Sequence, residues 1–147
     1  MPQTLSPQIV LQKPADLPRL CWSADKYESL FAMDLLTHGK YELIAGDIVE
    51  KMALRYTHAQ IITLLFAFFS RFCSFPLLGS AFTLAASDTS MPEPDFAVFA
   101  TETPTLTERG YVRPGDVRLV VEVSDATLPH DTTEKVTLYA RAGIAEY

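Results

Sequence analysis

Apolar and polar positions along the chain fall into short blocks whose spacing switches between helix and strand. Tyr27, Leu30 and Phe31 recur at helical spacing, and Ser23 is placed to cap that helix, which is expected to run to about Met33. Tyr41-Glu42-Leu43-Ile44 and Asp47-Ile48-Val49-Glu50 read as two strands joined at Ala45-Gly46, a hairpin whose glycine supplies the positive φ of a tight turn. Thr57 and Gln60 have the form of a capping box and predict a helix over 58–72. Its apolar residues nearly encircle the axis, so a sheet is expected on one side and other elements, or a second subunit in a homodimer, on the rest.

Pro76 and Gly79 interrupt this pattern, and strand character returns over 81–85, 95–99 and 117–123, separated by turn-rich connections. Asp131 and Glu134 are spaced to cap a last helix, which Gly143 closes. Helix, hairpin, helix, strands and helix in this order predict an α/β domain with a mixed β-sheet flanked by helices.

With 147 residues, 48% of them hydrophobic, the chain can bury the core of one domain, expected over 22–147. The residues before it, 1–21, mix prolines with polar side chains and lack the continuous apolar stretch of a secretory signal, so they read as an extended arm. The apolar run over 61–72 is too short to span a bilayer, which argues against a membrane protein. A formal net charge of -6 argues against holding nucleic acid by bulk electrostatics but leaves room for a local groove. Cys21 and Cys73 are isolated thiols without zinc-site spacing, and the cytoplasm is the simplest compartment for them.

The strand Leu119-Val120-Val121-Glu122-Val123 places a carboxylate inside an apolar run, and Pro94-Asp95 opens another. Such a carboxylate loses hydration unless it is compensated. If the two strands are neighbours, Asp95 and Glu122 can converge on one divalent cation, with the Val123 carbonyl as a further oxygen ligand; Mg²⁺ or Mn²⁺ suits such hard donors. A pair of solvent-facing strand-end carboxylates is the alternative. Lys135 shares a helical face with Leu138, Tyr139 and Ala142. It can snorkel to water, or stabilise charge developing on a phosphate. His58, in a helical first turn, can meet an anion or lie exposed. Glu42 alternates away from Tyr41 and Leu43 and either faces the same cleft or lies in solvent.

The segments Tyr41-Glu42-Leu43-Ile44-Ala45-Gly46-Asp47-Ile48, His58-Ala59, Pro94-Asp95, Glu122-Val123-Ser124-Asp125, and Lys135 followed by Leu138-Tyr139-Ala140-Arg141-Ala142-Gly143-Ile144-Ala145-Glu146-Tyr147 resemble the Uma2 family of restriction-endonuclease-like proteins in order and spacing. The resemblance covers residues 22 to 147. It implies a PD-(D/E)XK nuclease fold with metal carboxylates on neighbouring strands, DNA as substrate and Mg²⁺ or Mn²⁺ as cofactor. Asp95 would be the Asp of the Pro-Asp element and Glu122 the acidic residue of the (D/E)XK element. The lysine position of that element is Ser124, and Lys135 from the next helix would supply the missing charge. Glu42 and His58 fall on positions typical of the family. Ala45 stands where relatives carry an acidic residue, and relatives continue past Tyr147 into a Trp-containing strand, so a copy lacking its C-terminal part is expected. A non-catalytic interaction domain that keeps the nuclease fold is the alternative function.

Overall fold

In the computed structural model, residues 20–51, 55–124 and 128–147 are described. The arm expected over 1–21 lies outside them except for Leu20 and Cys21.

Helix α1 (Ala24–Ala32) starts at Ser23, whose side chain accepts the Lys26 N–H as expected of an N-cap. Its buried residue is Tyr27, and the Tyr27 hydroxyl donates to the Tyr41 carbonyl at 2.9 Å, tying the helix to the hairpin. The hairpin pairs β1 (Tyr41–Ile44) with β2 (Asp47–Glu50) in antiparallel register, Ile44 opposite Asp47. Ala45 and Gly46 both take positive φ, 49° and 84°, which matches the twist of the flanking strands. A Cβ at Gly46 would run into the Cys21 Sγ, so glycine is required there on two counts. Both faces of β1 are covered. Leu43 packs with Tyr27 and Met91, and the Met91 N–H donates to the Leu43 carbonyl at 2.7 Å. Glu42 and Ile44, on the alternate face, are buried as well.

Helix α2 (Tyr56–Phe69) begins earlier than the capping box predicts. Arg55 holds the N-cap without a side-chain hydrogen bond, and Gln60 Nε2 donates to the Tyr56 hydroxyl at 3.1 Å instead of reaching back to the backbone. Thr57 therefore sits inside the first turn. The helix lies on the sheet through Phe66 and Phe69, whose rings meet Phe96 at centroid distances of 5.1 and 5.2 Å. None of its residues is fully buried, and Leu64, Phe68 and the following Phe72 are more than half exposed. The outer cover expected for this helix is not found among the described residues.

The second sheet runs in the order β3 (Leu78–Gly79), β4 (Phe96–Phe99), β5 (Val117–Val121), with antiparallel ladders. No ladder forms over 81–85, where a strand is expected; Leu84 makes only a single bridge to Val112. The neighbouring Pro92 and Pro94 have no N–H to continue a ladder there. Between Val98 and Phe99 the register with β5 shifts, so Val98 pairs with Leu119 and Phe99 with Val117. Arg118 is the extra residue of this bulge and is exposed, while Val117 and Val120 enter the same core although they are three apart.

That core joins Leu84, Ala97, Phe99, Val112, Val117 and Val120 to Tyr139 and Ile144. Tyr139 comes from α3 (Leu128–Arg141), which starts before Asp131. The capping pair expected at Asp131 and Glu134 thus lies within the helix, and the Asp131 side chain is outside the described set. The C-terminus of α3 closes as expected: Gly143 has φ 83°, its N–H donates to the Ala140 carbonyl at 3.1 Å, and the Ile144 N–H donates to the Tyr139 carbonyl at 3.0 Å. The chain then makes a parallel bridge between Glu146 and Leu119, so parallel and antiparallel pairing coexist beside β5. The architecture is mixed α/β. No helix among the described residues is long and apolar enough to cross a membrane.

A Cβ added at Gly79 would lie 2.5 Å from Phe99 Cε2 and 2.7 Å from Cζ. Gly79→Ala is expected to lower stability by about 1–3 kcal/mol through overpacking. Urea denaturation measures this, and the loss should shrink in a Phe99→Leu background, where the clashing ring is gone.

Candidate active site

The ladder between β4 and β5 pairs Phe96 with Val121. One further step of that register sets Asp95 across from Glu122, and residues directly opposite in an antiparallel pair point to the same face. The Val123 N–H donates to Asp95 Oδ2 at 2.8 Å, and His58 Nε2 lies 3.0 Å from Asp95 Oδ1. Asp95 is thus gripped at both oxygens, by the backbone after β5 and by the first turn of α2. The anion that His58 meets is Asp95 itself.

Glu42 enters from the hairpin and is 5% exposed. Its Oε1 accepts the Glu93 N–H at 2.8 Å, and the Glu93 carboxylate in turn pairs with Lys51 at 2.8 Å. The Lys135 ammonium stands between two carboxylates, 3.0 Å from Glu122 Oε1 and 3.1 Å from Glu42 Oε2. One turn further along α3, the Tyr139 hydroxyl donates to the same Glu122 Oε1 at 2.5 Å.

These contacts set the protonation states. Burial pushes the Glu122 carboxyl up to about 7; Lys135 and the Tyr139 hydroxyl oppose that rise, and the charges of Asp95 and Glu42 add to it. Burial alone would weaken the Lys135 ammonium, but Glu122 and Glu42 outweigh it and hold the lysine above its ordinary value. Burial, then Glu122, lift the Tyr139 phenol far above its ordinary range, so it remains a donor.

Glu42, His58, Asp95, Glu122, Val123 and Lys135, all singled out in the sequence, are therefore brought to one place, Val123 through its N–H. Tyr139 and Glu93 join them without having been read as site residues. The spacing of four between Lys135 and Tyr139 was the available signal, since it puts both on one helical face. Glu93 contributes a backbone N–H, which no side-chain pattern announces.

Among the described residues, no group of three or more His, Cys, Asp or Glu side chains is arranged to hold a metal ion. A pair of carboxylates still fits a hard cation of the Mg²⁺ type, which takes one or two carboxylates and completes its shell with water and substrate phosphate. The donor chemistry of Asp95 and Glu122 agrees with such an ion.

Residues 25–147 match the Uma2 family model, described as "Putative restriction endonuclease". No curated protein matches the chain.

Glu122 binds its proton more tightly in the fold than at its ordinary value of 4.5. The native state then holds the extra proton between pH 4.5 and about 7, so this group makes stability fall as pH rises through that window and level off above it. In metal-free buffer Glu122→Gln should remove this slope, so that the variant's stability changes less than the parent's between pH 5 and pH 8. Urea denaturation at pH 5 and pH 8 gives the comparison.

Proposed function

Because the chain belongs to the Uma2 family, with the restriction-endonuclease-like fold, we propose that it is a Mg²⁺- or Mn²⁺-dependent endonuclease that hydrolyses DNA phosphodiester bonds in the cytoplasm. The observation that carries this reading is the meeting of Asp95, Glu122 and Lys135 at the ends of two paired strands and on the helix that packs against them. Asp95 and Glu122, with the Val123 carbonyl, would hold the ion. When bound, it would lower the pKa of a water and polarise the scissile phosphate.

The chain's own groups do the rest. His58 and the Val123 N–H fix the Asp95 carboxylate, so it is oriented before any ligand arrives. Lys135 keeps its proton and presents positive charge beside Glu122, where charge on the phosphate would grow in the transition state. Glu42 tethers that ammonium from the hairpin side. The exposed apolar row of α2 favours a second reading, a non-catalytic interaction domain on the same fold. That reading predicts no cleavage.

Incubation of supercoiled plasmid with the protein and Mn²⁺ or Mg²⁺ separates the two, with nicked or linear DNA expected. Asp95→Asn and Glu122→Gln should each lose Mn²⁺ binding in titration calorimetry and all cleavage while remaining folded, since neither removes core volume. Unchanged Mn²⁺ affinity in both would end the metal assignment.

Lys135→Ala should still bind Mn²⁺ but turn over at least about 10²-fold more slowly, because its charge acts on the transition state. Cleavage at the parent rate would make Lys135 a structural tether only.

A further inference from the structure

The Lys135 ammonium and the Tyr139 hydroxyl both lie on one oxygen of Glu122, Oε1, at 3.0 and 2.5 Å. Their donors come from successive turns of α3, so the helix clasps this oxygen from two levels. Tyr139 cannot swing away: its side chain is fully buried in the main core, its ring lies 5.1 Å from that of Tyr147, and the Schellman turn at Gly143 hydrogen-bonds to its carbonyl. The Glu122 carboxylate is therefore held in one rotation about its last bond, with Oε1 committed to protein donors and Oε2 outside that pair.

We propose that Tyr139 is a specificity-determining positioning residue, which keeps Glu122 a one-oxygen ligand and so favours small octahedral cations over calcium. The inference rests on the metal reading given above. Mg²⁺ requires near-ideal octahedral geometry and accepts a carboxylate through a single oxygen; Ca²⁺ tolerates more ligands and readily takes both oxygens. A carboxylate with one oxygen claimed by two short hydrogen bonds cannot offer both without breaking them. Without the hydroxyl, Oε1 keeps only the lysine, and the Glu122 carboxylate loses one of its two restraints against turning. Tyr139 touches neither substrate nor ion in this scheme; it acts through Glu122.

Tyr139→Phe keeps the ring and removes only the donor. Calorimetric titration of the parent and of this variant with Mn²⁺ and with Ca²⁺, without DNA, gives the ratio of the two affinities. The parent is expected to prefer Mn²⁺, and Tyr139→Phe to reduce that preference about tenfold, a change at the lower end of what groups that orient a metal ligand contribute to affinity. A merely structural tyrosine would weaken both ions together and leave the ratio within twofold, which would overturn the inference while the metal site stood. A parent that binds neither ion would overturn the metal reading and this inference with it. If Tyr139→Phe does not fold, Tyr139→Met, which also lacks a donor, makes the same comparison.

Discussion

One ammonium shared by two buried carboxylates is the interaction on which the site depends. Lys135 reaches Glu42 on the hairpin and Glu122 beyond the sheet, and it joins three parts of the chain that are far apart in sequence. An uncompensated charge at such depth costs several kcal/mol, and a single lysine offsets only one of the two. The remainder is met by hydrogen bonds, from the Glu93 N–H to Glu42 and from the Tyr139 hydroxyl to Glu122. Even so, one negative charge stays in excess, and burial, with the charges of Asp95 and Glu42 adding to it, leaves Glu122 with a raised proton affinity. Every buried side-chain polar atom among the described residues nonetheless finds a partner.

Holding Lys135 at the right height demands a rigid α3, and the core supplies it. Tyr139 and Ile144 anchor the helix in the cluster around Val120, and the turn at Gly143 carries the chain back to β5 at Glu146. The hairpin is fixed separately. Tyr27 and Met91 hold Leu43 from one side, and the Gly46 N–H donates to the Thr89 carbonyl at 2.8 Å. Glu42 is thus placed by its neighbours' packing before it meets the lysine.

Much of this was legible in the sequence because it follows from local rules. The hairpin appears with the strand bounds that alternation and Ala45-Gly46 indicate, although Ala45 shares the positive φ assigned to the glycine alone. The Ser23 cap and the Gly143 turn are equally local. What was not legible depends on tertiary context. The Thr57–Gln60 pair has the right spacing for a capping box, but the helix starts two residues sooner and Gln60 turns to Tyr56. The bulge at Arg118 is invisible to simple alternation, because it exists only where Val98 and Phe99 meet their partners. In the site, carboxylates inside apolar runs were conspicuous, whereas Tyr139 passed as an ordinary core aromatic: its hydroxyl matters only because Glu122 lies beneath it.

The site's charge also bears on how an acidic chain could work on a polyanion. A formal charge of -6 repels DNA as a whole, and the Lys135 ammonium is already committed to Glu42 and Glu122. With Glu42, Asp95 and Glu122 converging against Lys135 and His58, a phosphate would meet net repulsion at the reacting position if both glutamates were ionised. A divalent cation on Asp95 and Glu122 would cancel that local negative charge where the phosphate must approach. It would also displace the proton that burial encourages on Glu122, so the strain of a buried carboxylate and the affinity for a hard ion are two sides of one arrangement. On this argument the acidic composition, which counts against a protein that grips DNA along a broad surface, is compatible with a nuclease that acts at a single metal-charged point.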